Sequence, residues 1–147
     1  MKPRTRARGI ALQALFEFDL VGHPPERSVN YLIKDLSLDT AIADFARQIV
    51  QGVFPMVEIL DQFISQHAPD WPMDQVAIID RNILRIALWE FSVFKETPIK
   101  VAINEAVELS KVYGSDSTPR FVNGVLGSLA DRQNEIQQSL KHFTSDS

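Results

Sequence analysis

TPIKVAINEAVELSKVYGSDSTPRFVNGVLGSLA, residues 97–130, contains two apolar-periodic segments separated by the polar run GSDSTP. Both segments begin with Thr-Pro, which suits a hydroxyl N-cap followed by proline at the first helical position. The spacing predicts a helix from Thr97 to Gly114, where glycine takes the left-handed conformation that closes a helix, and a second helix from Thr118. Along the second, Val122, Val125, Leu126 and Leu129 form a buried stripe, so Arg120, Asn123 and Gly127 share a different face. A helical hairpin with a tight polar turn is the expected local fold.

Upstream, residues 74–94 are apolar on more than half of a helical circumference, with Ile79, Ile83, Leu84, Ile86, Ala87, Leu88 and Phe91. Such a helix is normally surrounded by others, which places it at the centre of the C-terminal half with the hairpin against it. In the N-terminal half, Ala11, Leu12, Ala14, Leu15, Phe16 and Phe18 predict a helix to about Leu20, ended by residues 22–25. Val29, Leu32, Ile33 and Leu36 mark a second helix, and Ile42, Phe45, Ala46, Ile49, Val50 and Val53 a third. Pro55 should kink or break that third pattern before Val57, Leu60, Phe63 and Ile64 resume it. HAPDWP, residues 67–72, is the clear break in the chain. No stretch alternates with period two for long enough to require a strand. The expected fold is all-α, two packed helical bundles in one compact domain: an N-terminal bundle at about 1–66, a C-terminal bundle at about 74–140, and a tail at 141–147.

The chain has 147 residues, 45% hydrophobic and 23% charged, which suits one ordinary globular domain. It has no cysteine, so disulfides and thiol chemistry are excluded, and no apolar run approaches the roughly 18 residues of a membrane span. The cytoplasm is the expected location, with no membrane partner. The net charge of −4 conceals an asymmetry: Lys2, Arg4, Arg6 and Arg8 give residues 1–8 a charge of +4, leaving 11 cations against 19 acids, or −8, elsewhere. A basic N-terminus on an acidic body implies two different partners.

Arg4 and Arg8 share a face if the arm is helical, whereas all three arginines point the same way if it is extended. Cations at a helix start are repelled by the dipole by about 0.3–1 kcal/mol each, and a bound phosphate reverses the sign. The alternative is a solvated tail. Arg120 is again a cation in a first turn, and Phe121, at the edge of the buried stripe, is placed either to stack on an unpaired base or to join the core. Gly124 and Gly127 either bare the backbone to a ligand or let helices pack closely. Arg81 and Arg85 stand one turn apart and need relief, from Asp80 or Glu90 inside the fold or from a phosphate. His23, His67 and His142 lie far apart, with no His-Glu-x-x-His spacing, phosphate-binding glycine loop or nucleophile elbow, so no catalytic residue, metal or cofactor is expected.

KVAINEAVELSKVYG (100–114) and RFVNGVLG (120–127) resemble the C-terminal signature of the NusB family of bacterial transcription antitermination factors. DRNILRIALWEF (80–91) is similar to that family's central helix, and RTRARGIALQALFEFDL (4–20) to its arginine-rich first helix. The resemblance implies a NusB-like two-bundle helical domain that recognises the single-stranded boxA RNA of ribosomal RNA leader transcripts. It implies two protein partners: NusE, a small-subunit ribosomal protein, and the RNA polymerase antitermination complex that passes terminators. The implied RNA-binding residues are Lys2, Arg4, Arg6, Arg8, Arg85, Ser117, Arg120, Phe121 and Asn123, the arginines of the arm holding phosphates and the 117–123 segment reading or stacking bases. Gly9 stands where the family commonly has an acidic residue, and Pro119 where it often has a polar one. The same domain occurs fused to RNA cytosine methyltransferases, but a chain without a catalytic cysteine or cofactor-binding domain is not expected to be that enzyme. A protein-interaction module, as a homodimer covering its RNA-facing surface, is the remaining alternative.

Overall fold

Helix α1 (Pro3–Val21) opens on proline and closes where Gly22 takes φ +80°, its N–H donating to the Phe18 carbonyl at 2.8 Å. Glycine enters that left-handed conformation at little steric cost, so the 22–25 segment ends the helix as the sequence predicts. The structure, a computed structural model, describes residues 2–68 and 72–144, with side chains through residue 141. The chain folds as two compact units, Met1–Val57 and Glu58–Ser147.

In the first unit α1 packs against α2 (Pro25–Asp35) and α3 (Thr40–Val53). Ala7, Ala11 and Ala14 let α1 approach its neighbours closely, and Leu12, Val29, Phe45 and Ile49 are buried with them. Asp39 caps α3, its Oδ1 accepting the Ile42 N–H at 3.1 Å. At Pro55 the α-helical pattern gives way to a 3₁₀ turn, Phe54–Met56, because proline supplies no N–H for the α-helical ladder.

Helix α4 (Val57–His67) belongs to the second unit from Glu58 onward, and its Leu60 and Ile64 are fully buried. The expected break at HAPDWP includes Pro69, Asp70 and Trp71, which lie outside the described residues. Helix α5 (Ile78–Trp89) is buried at every residue from Asn82 to Trp89, as its circumferential apolarity predicts. It starts four residues later than expected: residues 73–75 form a separate 3₁₀ turn, and the extended backbone at Val76 turns that side chain into the interior. At its other end α5 runs into a π turn, Glu90–Phe94, in which the Lys95 N–H donates to the Glu90 carbonyl at 2.9 Å.

Helices α6 (Ile99–Tyr113) and α7 (Thr118–Asp131) form the predicted hairpin and pack on α5. A further helix, α8 (Gln133–Thr144), follows; its Gln137 side-chain amide donates to the Phe91 carbonyl at 3.1 Å. Residues 141–144, read from sequence as tail, thus belong to a helix, and residues 145–147 lie outside the described part. No strand occurs among the described residues, and no helix is long and apolar enough to cross a membrane.

Three details of the hairpin correct the sequence reading. Thr97 does not cap α6, because Pro98, with extended backbone, takes the N-cap position. Thr118 is the first residue of α7 and Ser117 its N-cap, so the Thr118 hydroxyl is used elsewhere. Gly114 is extended, at φ −92° and ψ −173°, not left-handed. Glycine is required there for proximity: a Cβ would stand 2.6 Å from the Thr118 side chain. Gly114→Ala must push Thr118 away, so it should destabilise the fold by about 1–3 kcal/mol in urea denaturation. An unchanged midpoint would mean that the turn yields freely.

Candidate nucleic-acid interface

The basic arm is helical from Pro3, so Arg4 and Arg8 share a face one turn apart. That face looks onto Phe45 of α3: the guanidinium carbons of Arg4 and Arg8 lie 4.2 Å and 5.4 Å from the ring centroid. Cation–π attraction contributes about 0.5–2 kcal/mol at such distances, enough to offset the dipole's repulsion of a first-turn cation, about 0.3–1 kcal/mol. The two arginines differ in access. Arg4 is exposed, as are Lys2 and Arg6, whereas Arg8 is only 3% exposed. Arg8 is therefore not presented to a ligand as the sequence reading expects, because the helical arm turns it inward.

In the second unit, the first turn of α7 lies beside the start of α5, and a cavity of about 350 Å³ opens between them. Ser117, Arg120 and Phe121 line it on one side; Gln75, Val76, Ala77 and Asp80 line it on the other. Three residues singled out from sequence thus meet at one concavity, with the Phe121 ring half-buried and Ser117 and Arg120 exposed. Asn123 is exposed two residues further along α7. Cβ atoms added at Gly124 and Gly127 would meet nothing within 4 Å, so these glycines do not serve close helix packing. They leave bare backbone on the exposed side of α7, although glycine costs a helix interior about 1 kcal/mol relative to alanine.

The wall from α5 was not anticipated. Its link to α7 is the Thr118 hydroxyl, which donates to Asp80 Oδ1 at 2.9 Å and accepts the Ser115 N–H at 2.9 Å. The sequence signal available was a carboxylate in the first turn of α5, but nothing in the sequence pairs it with a threonine 38 residues later. Burial pushes the Asp80 carboxyl above its ordinary pKa, and the Thr118 hydrogen bond partly counteracts that. A carboxyl whose folded pKa is raised favours the folded state fully below its unfolded pKa of about 3.9, and this contribution is lost as pH rises through the folded pKa. Asp80→Asn keeps an acceptor for Thr118 and removes the desolvated charge. Its melting temperature at pH 7 should therefore equal or exceed the parent's, with the advantage shrinking towards pH 3; a clear loss at pH 7 would contradict this account.

Arg85 is engaged within the fold, not offered to a phosphate. Only 4% exposed, it donates from Nε and Nη2 to the two carboxylate oxygens of Asp61, each at 2.7 Å, and from Nη1 to Asn82 Oδ1 at 3.1 Å. The relief for this cation comes from Asp61, 24 residues earlier on α4. No cluster of histidine and acidic side chains suited to a metal occurs among the described residues.

A family model described as the NusB family matches residues 5–131. The chain belongs to the NusB family. The transcription antitermination protein NusB of Roseiflexus castenholzii is 47% identical over 134 residues, 90% of this chain and 94% of that protein. Among solved structures, T. maritima NusB matches with a TM-score of 0.83 at 30% identity, over 94% of this chain and 99% of that one. A crystal structure of antitermination factors NusB and NusE in complex with double-stranded RNA shares the fold, with a TM-score of 0.78 at 24% identity over 95% of this chain and 98% of that one. NusB proteins are transcription antitermination factors and not enzymes.

Proposed function

We propose that this NusB-family chain binds the single-stranded boxA RNA of ribosomal RNA leader transcripts together with NusE, and within the RNA polymerase antitermination complex helps transcription pass terminators. The observation that carries the RNA reading is the cavity where Ser117, Arg120 and Phe121 converge. A half-buried ring beside an exposed cation suits an unstacked base and its phosphate, the usual target of single-strand recognition. Lys2, Arg4 and Arg6 add exposed cations on the arm, and Asn123 adds an amide on α7. The excess of acids outside the arm suits a basic ribosomal protein, and exposed Leu20, Val21, Tyr31, Leu36 and Phe54 give such a partner apolar surface to cover. A solved structure of the same fold holds NusB and NusE together with double-stranded RNA, which supports reading RNA and NusE as joint partners. These activities belong in the cytoplasm.

The test is fluorescence anisotropy of a short boxA-like RNA against a base-scrambled control, with and without NusE, across a salt series. Preference for the true sequence, strengthened by NusE, is expected, with log affinity falling against log salt at a slope of about −2 to −3 for three or four neutralised phosphates. Arg6→Ala should flatten that slope by about 0.7. Equal binding of both RNAs in either setting would remove the antitermination reading in favour of a protein-interaction module, whose homodimer would show in a size measurement.

A further inference from the structure

We propose that Asp80 determines base specificity in the cavity between α5 and α7, accepting a hydrogen bond from an amino group on the edge of the base held there. The inference rests on the reading of that cavity as the site of an unpaired base. Stacking alone tolerates any sequence, because every base has a flat face. A carboxylate on the wall is selective, since it accepts hydrogen bonds and cannot donate them. Of the four RNA bases only uracil carries no amino group, and it presents a carbonyl oxygen where cytosine presents its amine.

Among the lining residues Asp80 is the acid and Arg120 the cation. Burial raises the Asp80 carboxyl and only the Thr118 hydrogen bond opposes this, so no neighbouring cation, Arg120 included, neutralises it. Asp80 Oδ1 accepts the Thr118 hydroxyl at 2.9 Å, and Thr118 is itself fully buried and accepts the Ser115 N–H. Oδ2 has no hydrogen-bond partner among the described residues, and it is not sealed from solvent. A carboxylate that has lost part of its hydration and gained one hydrogen bond is stabilised by a second donor and repels a carbonyl oxygen. The wall is also set before a ligand arrives: Arg81 Nη2 donates to the Val76 carbonyl at 3.0 Å, which ties the segment preceding α5 to the helix.

The experiment repeats the anisotropy measurement in the presence of NusE with the full chain, Asp80→Asn and Asp80→Ala. In the boxA-like RNA, cytosine and uracil are exchanged for one another singly, and each adenine is changed to inosine, which replaces an amino donor by a carbonyl acceptor. Each guanine is changed to inosine, which removes its amino group. At one position the amino-bearing base should bind the parent about five- to tenfold more tightly than its counterpart. Asp80→Asn keeps a carbonyl for Thr118 and offers the cavity a donor, so the preference at that position should vanish or reverse. In Asp80→Ala it should vanish, while the other positions respond as in the parent. A general loss of folding does not produce a coupling confined to one base, and the melting temperature of each variant reports folding separately. If every exchange acts equally on the parent and both variants, the proposal is overturned, and a loss of binding in Phe121→Leu still keeps the cavity as a base site. If the parent binds true and scrambled RNA equally, the RNA reading fails and the proposal falls with it.

Discussion

Asp61→Ala is expected to destabilise the protein by about 3–5 kcal/mol, because it leaves the Arg85 guanidinium buried without its carboxylate. Both Arg85–Asp61 hydrogen bonds are 2.7 Å long, and the Arg85 side chain is 5% exposed against 24% for Asp61. The arginine therefore bears most of the desolvation, and the cost falls on whichever variant abandons it. The Asn82 amide oxygen, at 3.1 Å, cannot replace a bidentate acid. Replacing both partners, as Asp61→Leu with Arg85→Met, should be much milder than Asp61→Ala, since no charge is then stranded. Urea denaturation of the single and double variants checks this. A single variant within about 0.5 kcal/mol of the parent would show that water reaches Arg85 freely.

Phe121→Leu should weaken boxA-type RNA binding about tenfold or more, as stacking a base on an aromatic ring contributes about 1–3 kcal/mol. Leucine keeps an apolar side chain at the cavity wall, so the change in melting temperature should be small beside the loss of affinity. Arg120→Ala should instead act mainly on the salt dependence, flattening it by about 0.7. The two effects separate base stacking from phosphate contact within the same cavity. Should Phe121→Leu bind RNA as the parent does, the ring belongs to the fold and the base site must be sought elsewhere.

Helical periodicity made most elements readable in advance because burial on one face repeats along a single segment. The stripes of α3, α5 and α7 needed no knowledge of their neighbours, and Pro55 and Gly22 punctuated the chain for local reasons. What depended on two distant segments was not readable. Arg85 finds Asp61 on another helix, Thr118 finds Asp80, and Gly114 is needed for closeness to Thr118 although its sequence context suggests a left-handed cap. The arm illustrates the intermediate case. Sequence spacing put Arg4 and Arg8 on one helical face, but only the placement of Phe45 shows that this face turns inward and buries Arg8. At the cavity, Arg120 as a first-turn cation and Phe121 at the edge of the buried stripe stood out in the sequence, and Ser117 came with the family resemblance; the opposite wall from Gln75 to Asp80 carried no comparable signal.

The π turn at Glu90–Phe94 changes how the central helix should be numbered around its axis. Each residue of an α-helix advances about 100°, so one additional residue in a turn rotates everything after it by that angle. Counting by 3.6 from Ile83 therefore loses phase before Phe94, even though the chain never leaves a helical path. Within the turn Phe91 and Ser92 are both buried, and the Phe94 ring stands against Trp89, centroids 5.1 Å apart and planes 21° from parallel. A relative lacking one residue here would keep its hydrophobic composition yet present a different sequence of side chains to α8, which hydrogen-bonds this turn through Gln137. Alignments across this segment are thus best anchored on its two flanks separately, with the inserted residue treated as a change of angle and not of length.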